Sequence, residues 1–306
     1  MTRVPLAITV AVLLAAGLDR AFREPPAEYH PVTLFGRAVD HAANREYPLP
    51  KLAGAVLAVA MPALVALLVY GALSLVTPFP GVIVAVLAGL VLWSSSSLYL
   101  LLDIGGQVIA DSEAAPEAAR EALVALVGRD TDDLSPAEIR SAAVESLAEN
   151  LSDGLVAPLS AFALFAFVSV PAAAAAAAFV KAVNTLDSML GYPGPFGWGS
   201  ARLDDLVMFV PARVTALLLG VAAGDPEAPF RARRYAVTTP SPNAGWPMGA
   251  LAAALNVRLE KPDEYVLNEV ADLPTVSDGE DALAAIRAAG LAAYAAVALL
   301  GVILWL

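Results

Sequence analysis

The chain has 306 residues, 58% of them hydrophobic and 16% charged, and its mean hydropathy of +0.68 lies outside the range of soluble domains. A net charge of −12 argues against a nucleic-acid partner. With no cysteine and only His30 and His41, disulfides, thiol nucleophiles and a histidine-rich zinc site are excluded. Several apolar runs approach the ~20 residues that cross a bilayer. The sequence therefore predicts an all-α, polytopic integral membrane protein, a single domain over residues 1–306 with polar segments at 19–51, 103–154, 191–205 and 224–280. The acidic balance, with Lys only at 51, 181 and 261, resembles that of proteins from high-salt cytoplasms.

Residues 4–18 follow Arg3 and barely suffice to span; no small-x-small cleavage site follows, so the stretch reads as a retained segment. The first polar segment holds HPVTLFGR, His30 to Arg37. A lone loop histidine is more often structural, whereas the Arg37 guanidinium is a natural fork for phosphate or carboxylate. Spans at 52–76 and 81–102 follow, joined by TPFPG, with Ser94 to Ser97 as helix-packing residues. Residues 108–135 read as a solvated helix and a loop closed by Arg129 and Asp130.

The stretch Gly128 to Leu159 is the densest polar segment of the chain. Ser135, Pro136 and Glu138 form a helix-start signature with a capping box. Ile139, Ala143, Leu147 and Leu151 recur as one apolar stripe, leaving Glu145 and Glu149 one turn apart on another face. Stacked like this without a nearby cation, the two carboxylates cost roughly 0.2–0.5 kcal/mol. A solvated acidic face is the plain reading. The helix runs straight into an apolar segment, however, which places the carboxylates at a membrane boundary and favours a site. Asn150 and Asp153 follow, and Gly154 is expected to end the helix.

The apolar segments 155–170 and 172–190, split at Pro171, predict a broken or re-entrant hairpin. The second ends in KAVNTLDSMLGY, where Lys181, Asn184, Thr185 and Ser188 share a helix face with Asp187 at its edge. After a Pro/Gly loop, SARLDDL leads into a short span at 206–223 that contains Arg213, and a charge there needs a partner or water. The pair Asp204-Asp205 suggests magnesium held against a diphosphate. Arg231, Arg233 and Arg234 read as a mark of the cytoplasmic side or of anionic lipid. The last span is 282–304. Basic residues place 19–51 and 224–284 on the cytoplasmic side of a cell membrane.

RDTDDL followed by VESLAENLSDGLVAPL resembles the signature of the CobD/CbiB family, the adenosylcobinamide-phosphate synthases of cobalamin biosynthesis. KAVNTLDSMLGY, the pair SAR-DD and PAR, Asp19 with HPV and GR, and SPNAGWP are similar to further family elements, from about His30 to Trp246. The resemblance implies ATP-dependent amide formation between adenosylcobyric acid, a corrinoid, and (R)-1-aminopropan-2-ol O-phosphate. It implies Glu145, Glu149, Asn150, Asp153, Lys181, Asn184 and Asp187 as catalytic candidates. His30, Arg37, Arg129, Asp130 and Thr131, with Arg202, Arg213 and Asn243, are then candidates for substrate or phosphate binding. Magnesium, brought with ATP, would draw on Glu149, Asp153, Asp204 and Asp205. Departures from the family pattern fall at Arg23-Glu24-Pro25, at Met208, where the family usually has Asn, at Thr239 or Pro240, at Met248 and at Glu260-Lys261. Besides substrates, the expected partners are the lipid bilayer and either a second copy of the chain or other late-pathway membrane enzymes. The alternatives are a corrinoid transporter or non-catalytic membrane scaffold, and a prenyltransferase-like enzyme that uses the Asp pair on a diphosphate.

Overall fold

The computed structural model describes residues 4–128 and 131–303. The chain begins with α1 (Val4–Phe22), α2 (Pro31–Ala43), α3 (Pro50–Leu75) and α4 (Gly81–Ser95). It continues through α5 (Tyr99–Ala114), α6 (Pro116–Val127) and α7 (Pro136–Leu151). A π-helical turn, Ser152–Val156, leads into α8 (Ala157–Ala166), then α9 (Val170–Leu190), α10 (Trp198–Val207) and α11 (Phe209–Ala222). The last elements are α12 (Ala228–Ala232), α13 (Gly245–Leu255), strands β1 (Leu259–Lys261) and β2 (Tyr265–Leu267), and α14 (Val276–Ile303).

Among the described residues, three segments are long and apolar enough to cross a bilayer: Pro50–Leu75, Gly81–Ala114 and Val276–Ile303. The protein is thus an all-α polytopic membrane protein with one short antiparallel hairpin, Leu259 opposite Leu267. α8 has 10 residues, about 15 Å of helix, and is too short to span. It packs back on α9, which is the predicted hairpin. Pro171 sits in the first turn of α9 behind the Ser169 N-cap, where its missing N–H costs nothing.

Several sequence expectations change. Gly154 does not stop the motif helix; its carbonyl accepts from the Ser97 N–H at 2.9 Å, and the chain passes through the π turn into α8. A glycine ends a helix when it turns left-handed, and a residue inside a widened turn does not do so. The 224–280 segment is not polar throughout: α13 is apolar and largely buried. α14 begins at Val276, six residues ahead of the expected span, because Thr275 and Asp278 cap each other.

The chain packs as two compact units. The first comprises Met1–Ser97, Asp153–Met208 and Tyr294–Leu306. Here α1 lies on α4, and α3, α4, α8 and α10 surround α9. α10 approaches α3 so closely that a Cβ on Gly199 would come 2.5 Å from Ala55 Cα, so only glycine serves there. Buried Asp19 accepts from the Tyr294 hydroxyl at 3.3 Å, and that hydroxyl also meets Ser96 Oγ at 3.3 Å.

The second unit comprises Leu98–Ser152 and Phe209–Ala293. Its centre is α7, whose Ile139, Ala143, Leu147 and Leu151 are fully buried, as the apolar stripe requires. The opposite face is buried too, so the solvated acidic helix is not what forms. Arg140 is clamped by Pro274 O at 2.7 Å and by Ser112 Oγ and Glu113 Oε1, each at 3.1 Å. Ser141 Oγ accepts from the Glu260 N–H at 2.8 Å and ties the hairpin to α7.

Candidate functional site

The first unit gathers a polar cluster around the C-terminal half of α9, which is not one of the three spans. Asn184 donates from Nδ2 to Asp153 Oδ2 at 3.2 Å, joining the KAVNTLDSM element to the LSDGL element. One turn further on, Asp187 has a buried Oδ1 that accepts no hydrogen bond. A side chain on Gly191 would collide with that oxygen, so glycine keeps room for it. Burial, with the charge of Asp205 added, raises the Asp187 carboxyl from 3.8 to about 6. Asp205 is held by Arg202 Nη1 at 3.0 Å. Asp204 is half-buried on the same helix.

His30 caps α2, its Nδ1 accepting from the Val32 N–H at 3.1 Å. Its Nε2 lies 3.7 Å from Glu24 Oε2. Burial lowers the His30 pKa, Glu24 opposes that and Lys181 adds to it, so the ring is neutral at physiological pH. Lys181 thus belongs to the same neighbourhood as Glu24 and Asp153, both of which act on its charge. Arg37 is exposed on α2.

In the second unit Glu145 is buried on α7 and Glu149 is half-buried one turn on. Burial raises the Glu149 carboxyl, while Lys261 on β1 pulls it back. Asn150 turns its amide inward, donating to Ser146 O and Ser146 Oγ, both at 2.9 Å. Buried Thr131 donates to Arg120 O at 3.1 Å and fixes the loop that precedes α7. Arg213 packs its guanidinium 3.6 Å from the Phe209 ring centroid and 4.7 Å from that of Trp246. It donates to Asn243 Oδ1 at 3.1 Å and Phe209 O at 2.6 Å, so PAR and SPNAGWP are one structural feature. Arg129 and Asp130 lie outside the described residues.

Two charged groups escape sequence reasoning. Glu24 stands in the turn where the family pattern is broken, yet it is the acid beside His30. Lys261, at another departure, supplies from the hairpin the cation that no residue on α7 offers to Glu149. The remaining departures are packing residues. Met208 is buried against Ala157 and Val180, Met248 Sδ takes a contact from the Tyr265 hydroxyl, and Thr239 Oγ1 donates to Ser241 O at 2.8 Å.

Among the described residues no three His, Cys, Asp or Glu side chains converge as a ready-made metal site. Magnesium asks for less, since one or two carboxylates and substrate phosphates usually hold it. Asp187, with its unbonded oxygen, and the neighbouring Asp205 fit that demand.

A family model described as CobD/Cbib protein matches residues 12–294. Similar proteins include a probable cobalamin biosynthesis protein CobD of Methanothermobacter thermautotrophicus, 37% identical over 85% of this chain and 87% of its own. The cobalamin biosynthesis protein CobD of Rhodobacter capsulatus is 38% identical over 92% and 91%. That of Mycobacterium tuberculosis is 40% identical over 88% and 86%. No solved structure matches the chain.

Proposed function

The chain belongs to the CobD/CbiB family, and from that premise we propose that it is an adenosylcobinamide-phosphate synthase. On this reading it joins the free carboxylate of adenosylcobyric acid to the amine of an amino-alcohol phosphate, with hydrolysis of ATP to ADP and phosphate. The observation that carries the reading is the Asp153–Asn184 pair with Asp187 and Asp205 beside it. An amide-forming ligase needs acceptors for an amine proton and hard oxygens for a nucleotide, and this cluster has both.

The carboxylate oxygen of the corrinoid attacks the γ-phosphorus of ATP and ADP leaves, which gives an acyl phosphate. The amine then attacks the acyl carbon, an N–H proton is lost and inorganic phosphate departs. In this scheme Asp153, with one oxygen held by Asn184, orients the amine and takes its proton. Asp187 and Asp205 would hold magnesium, which shields phosphate charge when bound. In the second unit Arg213 keeps N–H groups beyond its two bonds for a phosphate, while its stacked plane is fixed by Phe209 and Trp246.

The test uses the full chain in nanodiscs, supplied with adenosylcobyric acid, aminopropanol phosphate and magnesium-ATP at low and at molar salt. Mass spectrometry should find adenosylcobinamide phosphate and equimolar ADP, and both should vanish in an Asp153→Asn variant that remains folded. Folded wild-type protein that binds the corrinoid without forming product would overturn the reading.

A further inference from the structure

In the first unit α2, α3, α4 and α9 enclose a cavity of about 470 Å³, within the range of small-ligand sites. Its walls are hydrocarbon: Pro31 and Phe35 of α2, Leu64 and Leu68 of α3, and Ala178 of α9 are typical. The hydroxyls in the wall are committed to their own helices. Ser94 and Ser95 donate to Val91 O at 3.0 and 2.8 Å, and Thr185 donates to Lys181 O at 2.8 Å. The polar group left for a ligand is the Lys181 ammonium. Among the described residues it makes no hydrogen bond and no ion pair within 4 Å; burial lowers its pKa, and Glu24 and Asp153 oppose that through longer-range attraction.

The side from which the cavity is entered follows from α3. This helix is long and apolar enough to span a bilayer, and most of its apolar surface is left uncovered by the rest of the chain. Leu64 and Leu68, at the lip of the cavity, are 57% and 64% exposed. The groove is therefore continuous with the lipid-facing surface of a span, and hydrocarbon chains are what it meets in a bilayer. Lys181 and Pro31, also in its wall, adjoin the polar turn that carries Glu24 and His30.

We propose that this groove is a phospholipid site, one acyl chain filling the apolar cavity and the phosphodiester accepting hydrogen bonds from Lys181. A partly desolvated ammonium with three unused donors is costly next to hydrocarbon, and a phosphate oxygen relieves that cost. A lipid bound there is a structural component of the first unit, wedged between amphipathic α2 and the span α3. The site borders the synthase cluster at Asp153, and lipid retention rather than product formation tests it.

The experiment is native mass spectrometry of the full chain in detergent, titrated with dioleoylphosphatidylglycerol and, separately, with dioleoylglycerol, which has the same chains without the phosphate. Wild type should retain phosphatidylglycerol at one site at least about tenfold more tightly than dioleoylglycerol. Ala178→Phe, which fills the cavity, should lose that site, and Lys181→Met, which keeps the stem, should bind both lipids equally. Val59→Phe, on the exposed face of α3, should behave as wild type. Retention unchanged in Ala178→Phe, or no preference for the phosphate in wild type, would overturn the proposal. If Ala178→Phe does not fold, the loss of preference in folded Lys181→Met decides the matter.

Discussion

Asn184 and Asp153 are 31 residues apart in the chain, and a 3.2 Å hydrogen bond from the amide of the first to the carboxylate of the second brings α9 against the π turn. The bond gives Asn184 a reason to be an amide: a carboxylate there would repel Asp153, and an apolar residue would withdraw a donor from a half-buried charge.

The first prediction follows from that pair. Asn184→Ala should lower the stability of the detergent-solubilised protein by about 1–3 kcal/mol. Asn184→Asp should be worse than Asn184→Ala at neutral pH, because it sets a second carboxylate against Asp153. Thermal unfolding reads both. Equal midpoints for wild type and Asn184→Asp would show that the bond contributes nothing.

The Asp187 carboxyl sets a second prediction. Its pKa rises from 3.8 to about 6 because burial, and then Asp205, disfavour the charged form. The folded state therefore prefers the protonated acid. That stabilisation is full below the unfolded value and is lost as pH climbs through about 6. Asp187→Asn keeps a neutral group at every pH. It should raise the unfolding midpoint at about pH 8, by an amount on the order of 1–3 kcal/mol, and change it little near pH 4. Magnesium binding followed by calorimetry should strengthen between about pH 5 and 7 in wild type and be weak and flat in the variant.

Local rules read the start of α7 and the hairpin of α8 and α9 directly, because Ser135, Glu138 and Pro171 act through the backbone next to them. The same rules misjudge Gly154, since what carries the helix past it is a bond from Ser97, more than fifty residues earlier in the chain. They also misjudge the face of α7 that bears Glu145. A helical wheel shows that this face is polar, but only the tertiary packing shows that the hairpin and its neighbours bury it. Of the candidate site, the members carried by contiguous motifs were legible. Glu24 and Lys261 were not, because each becomes relevant only through a partner distant in sequence, and each sits where the motif pattern is interrupted.

Met208 yields a third prediction. It replaces a polar residue of the family pattern and is 1% exposed between Ala157 and Val180. Met208→Asn, a reversion in sequence terms, would bury an amide among hydrocarbon. It should destabilise the first unit by about 1–3 kcal/mol rather than improve activity. Higher turnover with an unchanged unfolding midpoint would contradict this.

The last prediction concerns Arg213, whose guanidinium lies between the rings of Phe209 and Trp246 and donates to Asn243 Oδ1 at 3.1 Å. Lysine keeps the charge but has no plane to stack and no fork to divide between an amide and a phosphate. If this group grips the phosphate of the amino-alcohol substrate, Arg213→Lys should raise its KM by about tenfold or more while leaving the KM for ATP near its wild-type value. Asn243→Ala should move the same constant in the same direction by a smaller factor, because it removes the acceptor that aims the guanidinium and not the guanidinium itself. The double variant should then cost less than the two single effects combined, since both act through one hydrogen bond. Independent, fully additive effects would mean that Asn243 meets the substrate by itself, and a change in the KM for ATP alone would assign the arginine to the nucleotide.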